Sequence, residues 1–541
     1  MNNPIKKLKS VVPDSLRYSH ILRSIIFYYT TMQNNIRSRV KNNESIDTSY
    51  ISLTVGRPYQ LSLNTKKPVV WHSHNKNVSI SKEGVLLANK DFLGKDSQAL
   101  ITAVDSKGKI IQEYKITIVN WLANQSKLEL IKRLPDYHIL AYYENTIYFC
   151  IGSSLYKTQD SFKTRKKITK LPFLPASGFP MLISDYGNFL IGEHRIFWSK
   201  DLTHWEMVYE MQMHGNINMF DYYIDKMSNK CYVFAGEYSC NPNDRHKVYR
   251  GIVNIDGTQE WKEILTFNSI MEYKKDNSIL TSARHIHIVT VDPYTGNLWV
   301  GTGDEDIHSK ILFSPDYGET FQILGMGSQE WRTLSIWFTK DYIYWNMDSH
   351  EPQKIFRIPR MKFTDNKVIT PILNSGFTKP GVSYLVIRQN EQQHFPVGVG
   401  KIYTETEKRK IDDENQVMAL NDKEYDYREI VAELVNGAQF DYCWVKDQNN
   451  EDLVIMGAAP EGNLRDMQGR VFGIKEKSDG SVQVQELLSL RAKNLKADYQ
   501  INMFTQLVPL FQDNSGAIYF KTRNLSWSGI YKMKLKWNST N

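Results

Sequence analysis

The 541-residue sequence predicts an all-β protein dominated by a β-propeller of seven blades, or alternatively eight, and three observations carry that expectation. Aromatic side chains make up 12% of the chain, and such rings suit the pleated, half-buried surface of strands. From about residue 125 to the C-terminus, apolar strand pairs succeed one another, separated by turns rich in Asp, Asn and Gly. Residues 311–323 specify a strand, an Asp-closed turn and a second strand in one short run, and looser copies recur upstream.

Residues 1–47 read as a basic helical segment. Leu22, Ile25, Tyr29, Met32 and Ile36 recur at intervals of three and four, with Arg17, Arg23, Arg37 and Arg39 flanking the stripe. Over residues 1–44, eight Lys and Arg face only Asp14 and Glu44, so six of the eight net positive charges sit here. A helix over 15–40 with this pattern can lie on an anionic membrane surface or pack on protein. The rest of the chain is nearly balanced, so no nucleic-acid partner is expected. There is no apolar run long enough to span a bilayer as a helix, and no secretion signal at the N-terminus. A cytoplasmic location, peripheral at the inner face of the cell membrane, is therefore expected. Cys150, Cys231, Cys240 and Cys443 show neither a disulfide framework nor metal spacing, which suits a reducing compartment; no cofactor or metal is expected.

Residues 48–122 read as a small sandwich: Val55-Gly56, Val70-Trp71-His72-Ser73, Leu86 with Ala88, Ile101-Thr102-Ala103 and Ile116-Thr117-Ile118-Val119 are short alternating runs broken by turns. Trp71 reads as a core residue. Residues 123–541 form the propeller, in units near 138–172, 178–211, 218–267, 284–327, 331–374, 382–437, 439–490 and 503–537. The charged stretch Lys408 to Glu429 reads as a surface insertion.

The run Ser314-Pro315-Asp316-Tyr317-Gly318-Glu319-Thr320-Phe321 resembles the Asp box of sialidases and related β-propellers. Looser copies centre on Asp201 and Asp160. In the Ser314 run, Asp316 accepts hydrogen bonds from the turn, Gly318 supplies a positive φ, and Phe321 folds back over the hairpin. The order of strands in 48–122 likewise resembles bacterial immunoglobulin-like domains. Together these resemblances imply a propeller of bacterial carbohydrate-associated proteins.

Blade topology sorts residues by face. Turns between strands one and two share a face with turns between three and four, so Asp160, Asp201 and Asp316 belong to a structural face. The opposite face gathers Glu193, His194, Glu237, Asp304, Asp306, Asp348 and His350 from the ends of second strands. Starts of first strands add Arg284, His285, His287, Trp331 and Arg332, and Trp345 joins from a second strand. Acids, imidazoles, guanidinium groups and indoles converging near an axis suit sugar binding. His285 and His287 are two apart and can point together, with Ile286 and Ile288 packed into the sheet. A His-x-His pair completed by Asp304 or Asp348 also has metal-ligand chemistry, and histidines capping backbone carbonyls are the plain structural alternative.

Three function classes follow. The first is an accessory protein of surface polysaccharide biosynthesis that binds a polysaccharide or oligosaccharide, or scaffolds glycosyltransferases. The second is a sialidase-like glycoside hydrolase or a lyase, using two of Glu193, Glu237, Asp304 and Asp348 as acid and base. The third is an interaction platform. For a sialidase, Arg284, Arg332 and Arg388 can supply an arginine triad, but no Tyr-Glu nucleophile pairing follows. Phe356-Arg357-Ile358-Pro359 repeats a sialidase signature, yet it follows the best Asp box instead of preceding it.

Overall fold

The computed structural model describes residues 50–55, 58–61, 63, 68–88, 97–122, 128–132, 137–175, 181–192, 195–210, 216–239, 241, 243–269, 282–304, 308–348, 353–360, 372–373, 386–390, 393–397, 428–434, 437–459, 468–491, 506–523 and 530–537. Every regular element among them is a strand except one 3-10 turn, Gln329–Trp331. The expected helix over 15–40 lies outside the described residues. No helix among the described residues is long and apolar enough to cross a membrane.

Residues 50–122 form two sheets. Tyr50–Val55, Ile110–Leu122, Ser97–Val104 and Val70–Ser73 neighbour one another in that order, while Tyr59–Gln60, Val85–Ala88 and Val78–Ile80 make the second sheet. The first pair is parallel, and the other pairings are antiparallel. Period-two alternation sends Ala99 and Ile101, and Tyr114, Ile116 and Ile118, into one core with Leu53, Val55, Leu61, Val78 and Leu86. Trp71 leans on Tyr114 at 5.9 Å and covers Gly84, where a Cβ would stand 2.9 Å from the indole. Its packing is internal, as the sequence suggested.

Among the described residues after 122, seven sheets follow. Sheet 1 is Tyr137–Tyr143, Thr146–Ile151, Ser154–Thr158 and Lys166–Lys170; sheet 2 is Leu182–Ser184, Gly187–Gly192, Arg195–Ser199 and Glu206–Glu210. Sheet 3 is Asn216–Asp225, Lys230–Tyr238, His246–Asn254 and Gln259–Phe267; sheet 4 is His285–Val291, Leu298–Gly303, Lys310–Ser314 and Thr320–Met326. Sheet 5 is Ile336–Phe338, Tyr342–Asn346, Gln353–Pro359 and Glu429–Leu434, and sheet 6 is Gly437–Lys446, Asp452–Ala459, Gln468–Glu476 and Val482–Arg491. Sheet 7 takes Gln506–Gln512, Ala517–Arg523 and Ile530–Lys534 from the C-terminus and its outer strand, Leu128–Lys132, from ahead of sheet 1.

Each sheet is an antiparallel meander buried on both faces, and alternation decides which neighbour a residue meets. In sheet 4, Leu298, Val300 and Leu312 face sheet 3, while Trp299, Ile311 and Phe313 face sheet 5. Seven apolar clusters join sheet 1 to 2, 2 to 3, and so on through 6 to 7. The last, with Phe149 and Phe162 against Tyr519 and Ile530, joins sheet 7 back to sheet 1. The sheets therefore close into a ring, which is the propeller architecture. Burying one large apolar side chain contributes roughly 1.5–3 kcal/mol, so these interfaces supply most of the driving force.

Two expectations about units are corrected. The unit near 331–374 and the unit near 382–437 are not separate sheets: Glu429–Leu434 returns to pair with Gln353–Pro359 as the outer strand of sheet 5. Val386–Asn390 and Gln393–Val397 extend the outer edge of sheet 4 instead, and Ile372–Leu373 pairs with the same strand, Thr320–Met326. A strand joins whichever edge offers unpaired backbone groups, regardless of sequence order. Residues 408–427 of the expected insertion lie outside the described residues.

The Asp-closed turns are built as anticipated. Asp316 accepts from Ser314 Oγ at 2.8 Å, Thr320 N at 2.8 Å and Thr320 Oγ1 at 2.6 Å, and Gly318 sits at φ +94°. Phe321 is buried between sheets 3 and 4. Asp201 accepts from the backbone of Thr203 and His204, and Asp160 from Thr164 N and Oγ1. These bonds hold the Asp160 carboxyl down at about 2 and the Asp201 carboxyl well below its ordinary range. Cys150, Cys231 and Cys443 are free buried thiols, and Cys240 lies outside the described residues.

Candidate functional site

The site grows from the end of sheet 4 opposite its Asp-closed turn. His285 pairs with Gly303 at that end, while Leu298 pairs with Ser314 at the other. A bulge between Ile286 and Ile288 places those two side chains on different faces, toward sheet 3 and sheet 5. This corrects the simple alternation expected for the strand. The two histidines nonetheless meet at the same carboxylate. Gly303 leaves room for one of them, since a Cβ there would lie 2.3 Å from His287 Cε1.

Asp304 ends the second strand and is the centre of the cluster. Its Oδ2 lies 2.8 Å from His285 Nε2 and 3.5 Å from Arg284 Nε; its Oδ1 lies 3.1 Å from His287 Nε2 and 3.2 Å from an Arg332 terminal nitrogen. The same Arg332 nitrogen reaches Asp348 Oδ2 at 2.8 Å. Burial pushes the Asp304 carboxyl up, but hydrogen bonds from the two histidines and their charge outweigh it and hold it well below the usual carboxylate range. His285 Nδ1 also contacts Ser239 O at 2.6 Å, so both ring nitrogens face oxygen atoms.

The link from sheet 4 to sheet 5 positions the rest. Ser328 Oγ accepts from Glu330 N to cap the 3-10 turn Gln329–Trp331. Gln329 Nε2 then donates to Asp304 O at 3.0 Å, and Arg332 emerges beside it. Asp348 N donates to Arg332 O at 2.7 Å, fastening the end of sheet 5 to the same link.

Of the residues the sequence nominated, Arg284, His285, His287, Asp304, Arg332 and Asp348 converge. Others do not. Trp331 and Trp345 are 0% and 1% exposed, stacked 5.6 Å apart in the core between sheets 4 and 5, so neither offers a ring to a ligand. Glu237 points toward sheet 2, because Cys231, Val233 and Ala235 share its face, and it accepts from Tyr249 Oη at 2.5 Å. Burial pushes its carboxyl up to about 7 despite that hydrogen bond. The backbone of Arg388 pairs with Thr320, at the end of sheet 4 opposite the strand start beside Arg284. Arg357, from the sialidase-like signature, binds Glu429 at 2.7 Å and covers Tyr342 at 4.0 Å, while Phe356 and Ile358 pack in the core. Glu193, His194, Asp306 and His350 lie outside the described residues.

The sequence reading missed several partners. Tyr238 stacks on His285 at 4.4 Å, and its place one residue past Glu237, on the opposite face, was the available signal. His246, with its ring centroid 6.1 Å from that of His285, is pushed down to about 3 by burial and the charges of His285 and His308. Fully buried Lys310 donates to Ser282 O, and burial pushes it down to about 7.

Donor atoms of His287, Asp304 and Asp348 lie within 4.8 Å of one another, a spacing open to a metal. Arg332, however, already bridges both carboxylates and takes the cation's place. The arrangement presents guanidinium and imidazole donors around carboxylates that are engaged in ion pairs. It suits recognition of an anionic, hydroxyl-rich ligand better than acid–base chemistry, which needs one carboxyl poised to give up a proton.

No protein-family model matches the chain, and no curated protein sequence matches it. Among solved structures, the chain is similar to an auxiliary nutrient binding protein from Bacteroides ovatus, with 10% identity, TM-score 0.34, and coverage of 84% of this chain and 87% of that one. An auxiliary nutrient binding protein from Bacteroides thetaiotaomicron gives 10% identity, TM-score 0.32, and coverage of 90% and 99%. The WD40 domain of Neurospora crassa Pan2 gives 8% identity, TM-score 0.32, and coverage of 75% and 94%. The architecture of this chain rests on its own sheets and clusters.

Proposed function

We propose that this protein binds an acidic polysaccharide or oligosaccharide at the Asp304 cluster, as an accessory factor in bacterial surface polysaccharide biosynthesis. The observation that carries the reading is the convergence of Arg284, His285, His287 and Arg332 on Asp304, with Arg284 38% exposed at the rim. Guanidinium forks match carboxylate and sulfate geometry, and the paired carboxylates beside them accept from sugar hydroxyls. The basic residues of the N-terminal segment support contact with the inner face of a membrane, where glycosyltransferases would be neighbours. The turns at Asp160, Asp201 and Asp316 are read as Asp boxes, residues 48–122 as an immunoglobulin-like domain, and residues 123–541 as the propeller domain.

Hydrolysis or lysis by the same cluster is the second reading, and the ion-paired state of Asp304 and Asp348 weighs against it. Calorimetric titration of the full chain with alginate and hyaluronan oligomers, alongside a reducing-end assay, separates the two. Binding without released ends, lost in Arg284→Ala and Arg332→Gln, is the expected result. Released ends would favour the enzyme, and no binding of any acidic glycan would overturn the reading.

A further inference from the structure

The opposite face of the ring, which carries the Asp-closed turns, holds a groove of about 1070 Å³. Its walls come from sheets 4 to 6 and from Trp537. This volume stands just above the roughly 300–1,000 Å³ typical of ligand sites. Two of its lining residues are large rings left open to solvent: Tyr294 is 56% exposed and Trp444 is 41% exposed. Exposed rings facing one concavity are a binding feature, because burying them elsewhere in a fold this apolar would be favourable.

Both rings are held in place. Tyr294 N donates to Asp292 Oδ1 at 3.0 Å, and the Arg360 guanidinium covers one face of the Tyr294 ring at 4.6 Å. Trp444 sits in the first strand of sheet 6, where it pairs with Val454. It also lines a second cavity of about 560 Å³, walled by first-strand residues of sheets 1, 3, 4, 6 and 7, so it stands where groove and axial channel meet.

The lining of the groove carries more acids than lysines. Asp341, Glu451, Asp452, Glu476 and Asp479 line it against three lysines; Lys475 is bound by Asp447 and Glu451, Lys446 from outside the lining reaches Asp452 at 2.8 Å, and Glu476 accepts from Tyr344 Oη at 2.7 Å. After burial, it is the Asp452, Glu476 and Asp341 carboxylates that raise the Tyr294 phenol, which places their fields on one ring.

We propose that this groove binds a saccharide carrying protonated amines. Trp444 and Tyr294 pack on the C–H faces of its pyranose rings, and Asp341, Asp452 and Glu476 accept from its ammonium and hydroxyl groups. The site is independent of the acidic-glycan reading for the other face.

Calorimetry on the full chain with a chitosan hexamer at mildly acid pH tests it, with the N-acetylated hexamer as the uncharged control. The chitosan hexamer binds, and the N-acetylated one binds about tenfold more weakly. Tyr294→Ala and Trp444→Ala each weaken binding about tenfold, and Trp444→Phe, which keeps a ring at that strand position, retains most of it. Asp304→Asn binds as the wild type does. Absence of binding, equal affinity for both hexamers, indifference to Tyr294→Ala and Trp444→Ala, or loss on Asp304→Asn would each overturn the proposal.

Discussion

Asp304→Asn isolates the charge at the centre of the cluster with almost no change in volume. The amide keeps one acceptor oxygen, but its NH₂ must face either His285 with Arg284 or His287 with Arg332, setting donor against donor at contacts of 2.8–3.5 Å. Breaking one side of a buried ion pair costs about 3–5 kcal/mol, and each charge-assisted hydrogen bond is worth about 1.5–3 kcal/mol. Four donors share one carboxylate and Arg332 keeps Asp348, so the terms do not add; about 3 kcal/mol at neutral pH is the expected loss. Thermal unfolding should show a midpoint lower by roughly 3 °C. The pH dependence has a definite sign. The folded-state Asp304 carboxyl lies below its unfolded value of about 3.9, so its contribution is fully present above that pH and is lost as pH falls toward the folded value. The gap between wild type and Asp304→Asn should therefore narrow as pH falls below about 4. Equal midpoints at pH 7, or a gap that widens in acid, would refute the ion-pair account.

Three further outcomes follow from the same coordinates. Lys310→Met should stabilise the protein below pH 7, by at most roughly 5 kcal/mol, because the buried lysine is pushed down to about 7 and the unfolded chain then binds the extra proton up to about pH 10. Denaturant melts should show the advantage shrinking as pH rises through that window. Asp316→Ala removes the acceptor for Ser314 Oγ, Thr320 N and Thr320 Oγ1 and should cost about 2 kcal/mol, seen as a melting midpoint a few degrees lower and faster proteolysis within residues 314–320. Deleting residues 1–132 removes the outer strand of sheet 7, whereas deleting 1–127 leaves it, so only the longer deletion should lower the melting midpoint markedly.

Legibility in this chain tracks how local the determining interaction is. The Asp316 turn could be read completely because every partner lies within six residues, and His285, His287 and Asp304 could be grouped because strand ends are predictable from turns. The bulge at His287 carries no such signal, and it reverses which face each following residue meets. Trp331 illustrates the same limit. Its position at the start of a strand suggested the channel, yet the 3-10 turn drives the indole over Gly325, where a Cβ would lie 2.2 Å away. Glu237 was placed correctly along its strand and on the wrong side of it, a one-residue question that only the neighbouring sheets decide.

The two strands that close sheets 5 and 7 were beyond local reading for a different reason. Glu429–Leu434 and Leu128–Lys132 pair with strands far away in sequence, and the apolar pattern of an outer strand does not name its partner. Ring closure resolves that ambiguity collectively: each sheet is buried on both faces only if the last one packs on the first, which the Phe149–Tyr519 cluster accomplishes. Closure also fixes the functional geometry. A residue at one end of a second strand must face away from the Asp-closed turn of its own sheet, so the ion-pair cluster at Asp304 and the acidic, aromatic groove at Trp444 are held on opposite faces by the same meander that builds the core. A substitution confined to either face should therefore leave ligand binding at the other unchanged, provided the clusters between sheets 4, 5 and 6 remain packed.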